Sequence, residues 1–204
     1  MRFRKSFSVF LLVHYLTIAE CKLPSVKKRY NIRKFLWTKQ HIWTYLTTGA
    51  THCLCQADVT HAIDEKKITF VHYFLSQGYM RKHTRMHGFF LGKNIMSVQP
   101  YGSSNKVTHE LLYSDMNFKC AVVKVSWAIS PGGFTNMLDL RVWNTSNIAT
   151  SAQHCLSAFR KIAARGHVVY KDFCQKEYDR GRSSQDQDIE GRANPHDLVC
   201  RTYG

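Results

Sequence analysis

Eight short stretches of alternating or apolar residues, each closed by turn-forming residues, recur along this chain at near-regular spacing. They are predicted strands near residues 41–48, 51–60, 67–74, 85–91, 95–98, 107–114, 120–129 and 134–144. The breaks between them read TTGA, HAIDEKK, SQGY, LGKN, QPYGSSN, SDMN and SPGG. Gly, Pro, Asn, Asp and Ser at these points supply the backbone geometry of turns. Strands this short and this evenly spaced favour an all-β barrel or sandwich over any layered α/β arrangement. The period then changes. SAQHCLSAFRKIAARG, residues 151–166, places Cys155, Phe159 and Ile162 at helical spacing beside Leu156, with Arg165 in the last turn and Gly166 as the stop.

The ends of the chain differ from its middle. MRFRKSFSVFLLVHYLTIAEC opens with Arg2, Arg4 and Lys5, runs apolar from Phe7 to Ile18 and meets small residues at Ala19 and Cys21. That is the charged, apolar and cleavage pattern of a secretory signal. The run is shorter than the roughly 20 residues a membrane span needs. Residues 1–21 therefore read as a signal peptide, cleaved after Ala19 or Cys21, and the protein as secreted, extracellular and without a membrane span. A basic amphipathic segment lies around Tyr30 to Leu36. From Gln175 to Gly204 the sequence is rich in charge, Gly, Ser, Gln and Asp, the composition of a flexible tail. One domain, residues 22–174, lies between.

Secretion sets the meaning of the cysteines. Without Cys21 there remain Cys53, Cys55, Cys120, Cys155, Cys174 and Cys200, an even set suited to structural disulfides in an oxidising compartment. Six cysteines allow 15 pairings, and spacing does not choose among them. Asn144-Thr145-Ser146 is a glycosylation sequon. The whole chain carries +15, and removing Arg2, Arg4, Lys5 and Glu20 leaves an excess near +13. Such a charge favours anionic surfaces such as heparin-like glycans, cell membranes or nucleic acid. The densest basic run, KKRYNIRK at 27–34, has no nucleic-acid motif around it, so a nucleic-acid partner is not expected.

Eight antiparallel strands followed by one helix is the element order of a lipocalin, a closed barrel that holds one small ligand. Four segments sharpen that likeness: HIWTYLTTGATHCLCQADVT (41–60), LLYSDMNFKCAVVKVSW (111–127), LDLRVWNTS (138–146) and CLSAFRKIAARGHVVYKDFC (155–174). With the signal peptide, they resemble the tick salivary lipocalins that include the histamine-binding proteins. The resemblance runs over about residues 28–175. It implies a monomeric eight-stranded antiparallel barrel with a C-terminal helix packed outside, no cofactor, and two recurring disulfides. One ties Cys53 or Cys55 to Cys174, and the other ties Cys120 to Cys155. The remaining member of the Cys53/Cys55 pair is left for Cys200.

The alternation in NMLDLRVWN, residues 136–144, bears on the ligand. Leu138, Leu140 and Val142 share one face of a strand, and Asp139, Arg141 and Trp143 share the other. If the leucines pack under the helix, the second set points into the lumen; the opposite assignment leaves it in water. The family pattern for amines is Cys-Asp-(Val, Ile or Leu), then Glu-Leu-(Trp or Tyr). Here Cys120-Ala121-Val122 and Asp139-Leu140-Arg141 stand in those places. An amine such as histamine or serotonin is the ligand the resemblance implies. An inward Arg141 suits an anionic mediator such as a leukotriene, because a guanidinium grips a carboxylate through two parallel bonds. Tyr45, Phe70, Phe74, Trp127 and Trp143 are candidate walls for either ligand. Asp139 and Arg141 neutralising one another is the plainer alternative. A third reading is an interaction module with no small ligand, whose basic surface or long tail binds a host protein or an acidic glycan.

Other constellations are weaker. His83 and His87 have the four-residue spacing of a metal pair on a helix but fall in a predicted strand, and His52, Cys53, Cys55 and His61 suit a metal only in a reducing compartment. No nucleophile elbow, phosphate loop or carboxylate pair appears, and no catalytic activity is expected.

Overall fold

The structure, a computed structural model, describes residues 30–76, 80–117, 119–129 and 133–181. The signal peptide, Cys200 and the end of the polar tail lie outside the described residues. A single turn, α1 (Ile32–Leu36), leads into eight strands: β1 (Ile42–Thr47), β2 (Leu54–Ile63), β3 (Lys67–Leu75), β4 (Arg81–Phe90), β5 (Ile95–Pro100), β6 (Val107–Asp115), β7 (Cys120–Ile129) and β8 (Gly133–Trp143). Helix α2 (Ile148–Ile162), a two-residue strand β9 (His167–Val168) and helix α3 (Cys174–Gly181) follow. Strands β2 to β8 pair each with the next, all antiparallel, and β8 pairs with β1. The barrel closes because β1 also pairs with β2, Ile42 opposite Asp58 and Trp43 opposite Ala57. Closure removes the exposed sheet edges that an open eight-stranded sheet would present.

Two apolar layers hold the fold. Inside, Ile68, Phe70, Met86, Met96, Val98, Leu111, Ala121, Val123 and Val125 pack with Ile32, Phe35 and Leu36 of α1. That turn plugs one end of the barrel. Asn31 caps it by accepting from the Lys34 amide, and the Leu36 carbonyl accepts from the Thr60 hydroxyl. Outside, Leu138, Leu140 and Val142 pack under α2 against Ile148, Ala152, Cys155 and Phe159. The leucines therefore face the helix, and the alternation of β8 sends Asp139 and Arg141 into the lumen. The helix starts three residues before the predicted Ser151. Asn147 is its cap, the side chain accepting from the Thr150 amide, and that polar signal precedes the apolar face by which the helix is recognised in sequence.

Cys55 bonds Cys174 and Cys120 bonds Cys155. Cys55 takes Cys174 because of an irregularity where β2 begins. Its φ of 54° is left-handed, and its amide donates to the Val169 carbonyl at 3.0 Å, turning this residue toward the C-terminal segment. Cys53 is also disulfide-bonded, and the expected partner Cys200 lies outside the described residues.

The polar stretch predicted from Gln175 begins as the ordered helix α3. Tyr178 on it meets Tyr73 edge-on at 5.0 Å and His41 at 3.8 Å, and Arg81 lies over both tyrosine rings at 5.1 Å. Among the described residues no helix is long and apolar enough to cross a membrane.

Candidate functional site in the barrel interior

The lumen has a charged centre. Asp139 and Arg141 of β8 stand opposite Val123 and Ala121 of β7, two residues of the inner layer. Arg141 donates through Nη2 to Asp139 Oδ2 at 2.9 Å and through Nη1 to Asp58 Oδ2, also 2.9 Å, 83 positions away on β2. The outer oxygens are held as well. Thr47 on β1 donates its hydroxyl to Asp139 Oδ1 at 2.8 Å, and His72 Nδ1 on β3 lies 2.7 Å from Asp58 Oδ1. Asp58, Asp139 and Arg141 are exposed by 6%, 2% and 6%, so the three charges share one buried centre.

Isolated charges cannot be taken this far from water, and here each has an opposite neighbour and hydrogen bonds. Burial works to raise the Asp58 pKa, but Arg141 and the His72 bond outweigh it and hold the carboxyl below its ordinary value. Arg141 is pushed the other way. Burial lowers its pKa, and the two carboxylates more than compensate and raise it. Because an ionised carboxylate only accepts, His72 carries its proton on Nδ1. Of the three buried charges two are carboxylates and one is a guanidinium, with the His72 imidazole at their edge.

The expected wall residues separate into two groups. Phe70, Trp127 and Trp143 belong to the inner layer. Phe74 follows Phe70 and His72 on the same face of β3, its ring 5.7 Å from that of His72. Trp143 serves the plug, its ring 6.1 Å from Phe35 and its Nε1 donating to the Phe35 carbonyl. Tyr45 is a correction, because it packs in the outer layer with its ring 6.2 Å from Tyr170. Alternation from Ile42 and Thr44 leaves Tyr45 on the outside, and the register of β1 against β8 then slips between Thr44 and Leu46, so that Thr47 stands opposite Asp139. Arg141 is engaged within the protein, each terminal nitrogen bonded to a carboxylate, the mutual neutralisation that is the plainer expectation.

Asn144 is tied down. Its Oδ1 accepts from Trp43 Nε1 at 2.9 Å and from Gln175 Nε2 at 2.8 Å, fastening the start of α3 to the barrel. His83 and His87 lie on β4, their rings beside Tyr73 and Tyr101. Among the described residues no group of three or more His, Cys, Asp and Glu is placed to hold a metal ion.

Three polar residues of the lumen escape sequence reasoning: Asp58, His72 and His109. Asp58 and Thr60 alternate with Ala57 and Val59, a pattern indistinguishable from an ordinary solvent face. His72 and His109 do leave a signal, since each interrupts an apolar alternation, Phe70-His72-Phe74 in β3 and Val107-His109-Leu111 in β6.

No protein-family profile matches the chain, and no curated protein is significantly similar to it in sequence. Solved structures are similar. Apocrustacyanin C2 superposes with a TM-score of 0.54 at 13% identity, covering 72% of this chain and 84% of that one. Lobster apocrustacyanin A1 gives 0.52 at 13% identity, over 68% of this chain and 79% of its own. Crustacyanin H1 from the lobster Homarus americanus gives 0.51 at 14% identity, over 78% and 99%. These proteins are lipocalins, and likeness at such low identity bears on architecture alone. A closed eight-stranded antiparallel barrel, plugged at one end and braced outside by a C-terminal helix, is the lipocalin fold, and this chain has it.

Proposed function

We propose that this protein is a secreted lipocalin that binds a small protonated amine in its barrel and sequesters it, in the manner of the tick salivary lipocalins its sequence resembles. The observation that carries this reading is the pair of buried carboxylates in the lumen, Asp58 and Asp139, set around one guanidinium, Arg141. A protonated amine leaving water needs negative charge and aromatic faces in return. Asp58 and Asp139 supply the first, and Phe70, Phe74 and Trp127 line the same interior. Each carboxylate oxygen has one protein partner and keeps a second acceptor position. The clamp on Arg141 withdraws support from an anionic lipid mediator. Function by sequestration is stoichiometric, so abundance and affinity matter and turnover does not.

Isothermal titration of the secreted protein with histamine, serotonin and a leukotriene tests this. Binding of either amine is expected, weakened roughly 10- to 100-fold by Asp58→Asn, the range for loss of a charge-assisted hydrogen bond. Leukotriene binding with no amine binding would reverse the assignment of the pocket. Silence toward all three, together with salt-sensitive binding to heparin, would favour the basic surface as the functional face.

A further inference from the structure

His109 is a buried lumen side chain, among the described residues, whose place the charged centre does not explain. It lies on the inner face of β6, opposite Val125 of β7 and Met96 of β5, between Val107 and Leu111. It is 7% exposed, and its Nδ1 has no hydrogen-bond partner among the described residues. Arg141 Nε, across the lumen, is likewise buried and unpartnered. A buried polar atom left unpaired costs about 1 to 3 kcal/mol, so an apolar side chain would serve an inert barrel better at this position.

We propose that His109 is a second recognition point of the lumen, a neutral hydrogen-bonding group for the uncharged end of a ligand whose cationic end is held at Asp58 and Asp139. This rests on the amine reading and narrows it to aromatic amines that carry a ring hydroxyl. Neutrality matters, because a charged imidazole would repel the ligand. Burial first, and then Arg141, push the His109 pKa down to about 3, with Asp58 pulling it up and His72 adding to the depression. The imidazole is thus uncharged at neutral pH and can accept a hydrogen bond from a ligand hydroxyl.

Serotonin and tryptamine differ only in the ring hydroxyl and are the probes of choice. Titrated into the wild-type protein, serotonin is expected to bind roughly five- to tenfold more tightly, the measure of one neutral hydrogen bond. In His109→Phe, checked for folding by circular dichroism, that preference is expected to vanish while tryptamine binding persists. Equal affinities in the wild type, a comparison that needs no variant, overturn this inference and leave the amine reading standing. A preference that survives in His109→Phe overturns it too, placing hydroxyl recognition elsewhere. If neither amine binds, the inference and the amine reading fail together.

Discussion

Replacing His109 with glutamine keeps a polar side chain in the lumen and removes the imidazole, which isolates what a buried neutral histidine does to stability. In the folded protein the group protonates near pH 3, against an ordinary value of 6.5 in the unfolded chain. Below pH 6.5 the unfolded state therefore holds more protons, and stability falls as the pH falls, until the folded group titrates near pH 3. Linkage sets the loss at about 1.4 kcal/mol for each pH unit inside that window, and at about 2 kcal/mol between about pH 7.5 and about pH 5. Asp58 adds nothing over this interval. Its carboxyl is held below an ordinary value of 3.8, so its contribution is present above that value and is lost only in stronger acid. Urea unfolding followed by tryptophan fluorescence at the two pH values gives the comparison, and the other histidines cancel between wild type and variant. The wild type should lose about 2 kcal/mol more than His109→Gln on acidification. Equal losses would refute the burial of a neutral imidazole and, with it, the inward placement of this face of β6.

Arg141→Met strands Asp58 and Asp139 together without a counter-charge and should cost about 3 to 5 kcal/mol at neutral pH, read as a shift in urea midpoint; a variant as stable as the wild type would mean that the carboxylates are solvated. Cys120→Ser together with Cys155→Ser opens a 35-residue separation and should cost about 4 kcal/mol, whereas Cys55→Ser with Cys174→Ser opens 119 residues and should cost about 5, from chain entropy alone. Comparison of the two double variants by urea unfolding tests that order. Gly88→Ala would set a Cβ 2.6 Å from Ile68 Cγ2 in the inner layer, an overpacking expected to lower stability by about 1 to 3 kcal/mol. A thermal midpoint unchanged from wild type would show that Ile68 can move aside.

Much of the architecture was legible because it is encoded locally. Turn residues delimit the strands, and Cys155 and Phe159 at helical spacing announce α2. In NMLDLRVWN the alternation separates Leu138, Leu140 and Val142 from Asp139 and Arg141 without reference to any other part of the chain. What such a pattern cannot say is which set faces inward. That was settled by the docking of α2, whose Ile148, Ala152, Cys155 and Phe159 need an apolar floor and find it in the leucines. The charged centre was beyond local reading for a different reason. Arg141 meets Asp58 only when β1 closes the barrel onto β2, and a polar residue in mid-strand looks the same in sequence whether it will face water or a buried counter-charge. Tyr45 shows the same limit in reverse, since the facing of β1 places it outside the lumen, and a slip in register after Thr44 brings Thr47 onto Asp139. The sequence by itself determined the strands, their order and the sharing of faces, all set by short-range geometry. Only the tertiary structure decided that Arg141 is held by two carboxylates and that His109 Nδ1 is left without a hydrogen-bond partner among the described residues, because both depend on charges and hydrogen bonds that meet across a closed barrel.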